Sequence, residues 1–341
     1  MSEALQLPSL DECVFSEFEI NFPFGPSAGT INGTNEELLL HRALDSLRSP
    51  ADLTKTGSFT WNHQEGNEAK YGRCYYHNPI TGETGNCMGM PNIGYRRGTE
   101  LHPRLQNVAD QLGKLLIPSI SVGKGAIAVE ALPKMAYAFA KAGAKIIEIN
   151  YNCPNIIRED GSREPVMGYE PDILFGVHDK VFEEVGSEAI IVINLPPYID
   201  QYRHLIPAVV KGLHQARGKI AVNVSNTIGD RQVFTESGEP ALDVPGNLGG
   251  LSGPATVDMA RNQLDIFRHA LPRRIGIISC NGVFNGQEVF HRVHNQGADL
   301  TAGATVFFEN ETRGLSYGET AFRIAKEYAH VQNSVLEEVP T

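Results

Sequence analysis

Residues 146–155 read Ile-Ile-Glu-Ile-Asn-Tyr-Asn-Cys-Pro-Asn, and the rest of the chain is placed outward from this stretch. Ile146, Ile147 and Ile149 are β-branched and suit a crowded pleat, so the stretch begins as a strand. Alternation puts Ile147 and Ile149 on one face and Glu148 and Asn150 on the other. Pro154 stops the strand and keeps Cys153 out of helical geometry. A buried strand therefore ends in one turn that presents Asn150, Cys153 and Asn155. Amides read hydrogen-bond edges, and a thiol takes or gives a proton. A plain strand end capped by turn-forming asparagines has the same local sequence, so the surrounding chain decides between the two.

A chain of 341 residues holds two average domains or one large α/β barrel. Its composition, 41% hydrophobic and 20% charged, is that of a soluble globular protein. The formal net charge of −11 and the lack of a basic cluster argue against nucleic acid or an anionic membrane surface as partner. No apolar run approaches the ~20 residues of a membrane span. Residues 1–12 lack the basic start and apolar core of a signal peptide. The five cysteines, Cys13, Cys74, Cys87, Cys153 and Cys280, are odd in number and lack metal-site spacing. They read as free thiols in a reducing, cytoplasmic compartment, and no metal site is expected.

Upstream, Pro-Phe-Gly-Pro-Ser-Ala-Gly (23–29) reads as a short strand entering a glycine turn. Thr34 with Glu37 suggests a capping box ahead of Leu40, Leu44 and Leu47. Residues 51–55 read as the next strand, and 56–95 as a long glycine-rich irregular segment of the kind that is functional or disordered. The rhythm then becomes regular. Strand patterns fall at 117–121, 145–150, 190–195, 220–224, 274–279 and 298–302, with helical patterns between them at 126–141, 171–184, 201–215, 254–271 and 286–294. The clearest helix follows Pro254, with Val257, Ala260, Leu264, Phe267 and Leu271 stepping by three and four. This alternation implies parallel strands joined by right-handed crossovers, and eight such units predict a closed (β/α)₈ barrel. A single domain over 1–341 is expected, with a polar extension at 1–20 and a tail at 331–341.

Strand ends face the site in such a barrel, so polar residues that end apolar strands become candidates. These are Lys55, Asn150 and Asn194, with Asn226 just past the sixth strand. Ser279-Cys280-Asn281-Gly282 and Gly303-Ala304-Thr305 follow strands seven and eight, where this fold commonly holds a phosphate on backbone N–H groups. Gly249-Gly250 opens a segment where backbone can approach a flat ligand closely. The dinucleotide fingerprint and the Walker loop are both missing.

At this point the residues resemble a known family. Lys55 in Leu-Thr-Lys-Thr, Asn86-Cys-Met-Gly-Met-Pro-Asn92, Asn150-Tyr-Asn-Cys-Pro-Asn155, Leu195-Pro-Pro-Tyr198 and Asn223-Val-Ser-Asn-Thr-Ile-Gly229 occur in the order found in class 1 dihydroorotate dehydrogenases. The cysteine-base class 1A type is the most similar. The resemblance implies an FMN-dependent oxidation of dihydroorotate to orotate, with Cys153 taking the C5 proton and hydride passing to the flavin. Lys55 then lies against the flavin ring as the second catalytic residue. Ala28, Gly29, Thr56, Asn86, Asn150, Asn194 and Ser225 are implied around the cofactor. So are Gly249, Gly250, Asn281, Gly282, Gly303, Ala304 and Thr305. Substrate contacts fall to Asn86, Asn150, Asn155, Asn226 and Thr227, with Met88, Gly89 and Met90 at its carboxylate. A cytoplasmic homodimer acting on a small molecule is also implied.

Three departures stand out. A family lysine on the fifth strand is replaced by Asn194, which donates a hydrogen bond but brings no full charge. The family's Gly-Thr-Gly-Gly turn is here Ser279-Cys280-Asn281-Gly282. The loop after Cys153 (156–167) and the segment 72–85 are enlarged. They leave open an FMN-dependent reductase or dehydrogenase acting on a related cyclic amide. A barrel that binds a pyrimidine without flavin is the third alternative.

Overall fold

The computed structural model describes residues 13–123 and 126–338, the helix that ends at 338 being described as backbone from 336 onward. Twelve strands occur among them. They are β1 (Phe24–Pro26), β2 (Leu53–Phe59), β3 (Tyr75–His77), β4 (Thr84–Asn86), β5 (Leu115–Ile120) and β6 (Ile146–Asn150), then β7 (Ile190–Asn194), β8 (Ile220–Val224), β9 (Ile228–Gln232), β10 (Leu248–Ser252), β11 (Gly276–Ser279) and β12 (Leu300–Gly303). Eight of these form one parallel sheet in the order β1-β12-β11-β8-β7-β6-β5-β2. Its two ends meet where β1 passes β2, so close that a Cβ on Gly25 would fall 1.7 Å from the Leu53 carbonyl oxygen. Only glycine permits that approach, and it brings the sheet to a nearly closed (β/α)₈ barrel.

Strand alternation divides the core in two. Ile147, Ile149, Ile191, Ile193 and Val222 face outward and pack under the helices with Leu132, Phe139, Val181 and Leu264. Leu53, Leu115, Ile117, Ile146, Ile190, Val192 and Ile278 face inward, and Phe15 packs among them. Residues 13–20 were expected as part of a polar extension. The described part instead buries Cys13, Phe15 and Ile20 against these inward-facing residues. Residues 1–12 lie outside the described structure.

Where structure and expectation differ, long-range packing is the usual reason. Strand β2 runs on to Phe59, so Lys55 sits in mid-strand and not at its end. The helix Glu36–Leu47 is capped by Asn35, whose Oδ1 accepts from Leu38 N at 3.0 Å, and not by Thr34. The segment 56–95 is ordered: β3 and β4 form a hairpin that joins β10 and β9 in a four-stranded antiparallel sheet. The helices Tyr95–Leu112 and Tyr317–Glu338 were not anticipated; the first carries an internal Pro103, and the second extends through most of the expected tail. No helix among the described residues is long and apolar enough to cross a membrane.

Candidate active site

Parallel register sets the floor of the site. Asn150 is paired with Asn194 across β6 and β7, and Asn194 with Asn223 across β7 and β8. Because side chains alternate, β6 shows the barrel interior Ile146, then Glu148, then Asn150 on rising toward the strand ends. The inward apolar layer thus gives way to polar residues one step below the mouth.

Lys55 is the centre of that buried polar layer. It is 0% exposed, and its Nζ donates to Glu148 Oε2 at 2.5 Å and approaches Cys280 Sγ at 3.8 Å. Ser119 Oγ donates to the other Glu148 oxygen at 2.9 Å. Cys280 Sγ donates to Asn223 Oδ1 at 2.7 Å, and Asn223 Nδ2 donates to Asn194 Oδ1 at 3.0 Å. Donors and acceptors therefore run in one sense from the lysine to Asn194, with the Asn194 Oδ1 engaged and its amide nitrogen left to donate. Burial alone would push Lys55 down, but the facing Cys280 and Glu148 outweigh it and raise the amine above its ordinary value.

Above this layer opens a cleft with about 1150 Å³ of empty space, its open mouth included. Cys153 lines it and is partly exposed, while the other four cysteines are buried. Around the thiol, Asn155 Nδ2 donates to Asn86 Oδ1 at 2.7 Å, and Asn226 Nδ2 donates to Asn152 O at 3.3 Å. Asn155 Oδ1 is buried without a partner, an acceptor ready for a ligand N–H. Burial pushes the Cys153 thiol up to about 12, with the Asn155 backbone N–H and the Arg163 guanidinium pulling the other way and Cys87 adding to the rise.

The enlarged loop after Cys153 is a small hairpin. Ile157 bridges Arg163, and Arg158 N donates to Ser162 O at 2.8 Å around Gly161. The hairpin delivers Arg163 to the back of the cysteine turn, where it donates to Pro154 O at 2.9 Å and Leu248 O at 2.5 Å and pairs with Asp230 at 3.2 Å. Asn67, from the long segment 56–95, donates to Cys87 O at 2.8 Å and Asn155 O at 2.9 Å.

At the far end of the cleft lie Gly282, Ala304 and Thr305. Thr305 begins the helix Thr305–Thr312; Phe307 N and Phe308 N donate to Ala304 O at 3.0 and 3.2 Å, so the N–H groups of Thr305 and Val306 are the ones without an intrahelical acceptor. Thr84, Ser252 and Thr305 bring three hydroxyls together there, Thr84 Oγ1 lying 2.5 Å from Ser252 Oγ and 2.9 Å from Thr305 Oγ1. In the bulkier turn the Asn281 side chain is fixed by its neighbours: its Nδ2 donates to Asn226 O at 3.1 Å and its Oδ1 accepts from Thr256 Oγ1 at 2.7 Å.

Of the residues singled out in the sequence, Ala28, Gly29, Asn86, Met88, Gly89, Met90, Asn150 and Cys153 all line this one cleft. Asn155, Asn194, Ser225, Asn226, Thr227, Asn281, Gly282, Ala304 and Thr305 complete the set. Lys55, Thr56, Gly249, Gly250 and Gly303 do not line it. Lys55 lies beneath the floor, Gly250 is paired with Asn86 in the small sheet, and Gly303 sits between two lining residues. Sequence reading missed Glu148, Asn223 and Cys280 as a linked set, although an acid inside an isoleucine-rich strand is itself a signal. It also missed Arg163, which the Asp160-Gly161 pair foretells by marking a tight hairpin.

The dihydroorotate dehydrogenase of Dictyostelium discoideum is 24% identical over 231 residues, covering 64% of this chain and 59% of that protein. A putative dihydroorotate dehydrogenase A (fumarate) of Streptococcus agalactiae is 26% identical over 271 residues, 78% of each chain. A probable dihydroorotate dehydrogenase A (fumarate) of Enterococcus faecalis is 23% identical over 307 residues, 88% of this chain and 89% of that one. The profile of the dihydroorotate dehydrogenase family matches residues 12–313, the whole barrel with its cleft, and the chain belongs to that family of flavoproteins.

Proposed function

We propose that this protein oxidises dihydroorotate to orotate at the barrel mouth, with FMN bound in the same cleft. The observation that carries the reading is the thiol of Cys153 standing over a cleft ringed by Asn86, Asn150, Asn155 and Asn226. An imide ring alternates donors and acceptors, and uncharged amides match both. The unpartnered Asn155 Oδ1 suits a ring N–H.

The residues present also fit FMN. Hydroxyls and a helix N-terminus meet at Thr84, Ser252 and Thr305, which suits a phosphate. The opposite end of the cleft is floored by Asn194 over the Lys55–Glu148 pair, which suits a ring with acceptors along one edge. FMN would supply the acceptor for the hydride that leaves C6 of the substrate. The chain's own part is to hold the ring by its amides and to take the C5 proton on Cys153 Sγ. Lys55 and Glu148 act on the cofactor through the floor of the cleft. The family resemblance also brings a cytoplasmic homodimer, and the absence of disulfides is compatible with a reducing compartment.

Purified protein supplied with FMN should turn yellow and lose its visible absorbance when dihydroorotate is added without oxygen. Protein that takes up no FMN, or whose bound FMN stays oxidised with dihydroorotate, would overturn the reading. Bleaching by a different cyclic amide alone would favour the related-substrate alternative.

Asn194 yields a separate expectation. Reduced flavin gathers negative charge along one ring edge, and a cation nearby stabilises that form more than the oxidised one. A neutral amide in that role leaves the reduced form less stabilised by about 1–3 kcal/mol. Asn194→Lys should therefore raise the reduction potential of the bound flavin. Titration against a reference dye measures it, and a potential unchanged or lower with FMN still bound would remove Asn194 from the flavin edge.

A further inference from the structure

Behind the Gly282 turn lies a fully buried arginine that the chemistry above does not use. Arg292 is 0% exposed. Its Nε donates to Glu288 Oε1 at 2.6 Å, and its Nη1 donates to Ser279 Oγ at 2.9 Å and Cys280 O at 3.0 Å. Its Nη2 is buried with no partner. That nitrogen is 3.3 Å from where a Cβ on Gly282 would stand, so the free donor abuts the turn that lines the phosphate end of the cleft.

Two further facts make this more than a packed ion pair. Glu288 also binds Arg261, whose Nε reaches it at 3.1 Å, so two guanidinium groups share one carboxylate and the cluster carries net positive charge. The segment His291–Asn295 is a π-helical turn that continues the helix Gly286–Phe290. Such turns are rare, and they are found disproportionately at functional sites. Here the widened turn buries Arg292 alongside Val289, Phe290 and Val293, on the apolar side of the helix, where a lone guanidinium is costly.

We propose that Arg292 serves the phosphate of the flavin: the net positive charge of the Arg261–Glu288–Arg292 cluster, set directly behind the Gly282 turn, favours a phosphate monoester laid on the cleft side of that turn. The inference rests on the FMN reading and adds to it. Arg292 acts through the turn and is a positioning residue, not a catalytic one. Its charge is buried, so it is screened little by salt.

Riboflavin, which lacks the phosphate, separates this role from mere packing. Flavin-free protein is titrated with FMN and with riboflavin, and the ratio of their dissociation constants is compared across variants. Wild type should prefer FMN on the order of a hundredfold or more. Arg292→Gln should lower that preference about tenfold, while Arg292→Lys, which keeps the charge, should hold it to within about threefold. Arg261→Gln, at a partly exposed position, should lower it about threefold by cancelling the net charge without emptying the buried site. Riboflavin binding should change little in all three. If Arg292→Gln fails to fold, Arg261→Gln decides. An unchanged preference in the glutamine variants overturns the proposal, while a wild type that binds neither flavin overturns the FMN reading and this proposal with it.

Discussion

Cys153→Ala should bind FMN and orotate normally yet reduce its flavin with dihydroorotate about 10²–10⁴-fold more slowly, the usual contribution of a general base. The thiol is the ionisable group set among the ring of amides, and its turn is held by Arg163 on one side and Asn67 on the other. Removing Sγ leaves those anchors and the cleft intact, so binding and chemistry should separate. Burial holds the thiol near 12, so at neutral pH only a small fraction is thiolate. The oxidation needs the deprotonated form, and that fraction grows tenfold per pH unit below the pKa. Wild-type flavin reduction should accordingly climb steadily from about pH 7 to 9.5, and the alanine variant should lose that dependence. Rapid-mixing measurements without oxygen provide both numbers. Reduction in Cys153→Ala at the wild-type rate would take the cysteine out of the proton transfer.

The barrel could be read from the sequence because its signals are local. β6, β7 and β8 are runs of β-branched residues that each carry an asparagine at or near the end, and the helices between them keep a 3.6-residue period. The cleft-lining asparagines were legible for the same reason, since low strand propensity makes an amide at a strand end conspicuous. Lys55 was misjudged because its position depends on where β2 stops. Only pairing with β5 as far as Phe59 and Ile120 shows that the strand continues past it. The small sheet over the mouth was invisible for a similar reason. β4 and β10 are glycine-bearing segments, and the pairing of one with the other that joins the two halves of the sheet spans more than a hundred residues. Arg292 could not be found from sequence at all, because an arginine beside histidines in a helical stretch reads as a solvated face. In the structure it lies buried within the π turn.

The largest effect on stability should come from Lys55→Met, at about 3–5 kcal/mol, because it leaves the Glu148 carboxylate buried and uncompensated. Both partners are at most 1% exposed. Ser119 would remain as a hydrogen-bond donor to the carboxylate, but a hydroxyl does not replace a charge. The pair Lys141–Glu188 offers the contrast: its side chains are 52% and 59% exposed, and exposed pairs contribute roughly 0–1 kcal/mol. Lys141→Met should therefore be close to neutral. The double variant Lys55→Met with Glu148→Gln should recover most of the loss, since the cost lies in the orphaned charge more than in the missing attraction. The pH dependence has a definite sign. The raised Lys55 amine keeps its contribution in the wild type throughout the neutral range and loses it only as pH rises through that raised value. Urea unfolding of the three variants at pH 8 measures each part. A single variant within about 1 kcal/mol of wild type at pH 8 would mean that water reaches Glu148 through the cleft, and that the floor beneath the flavin is wet.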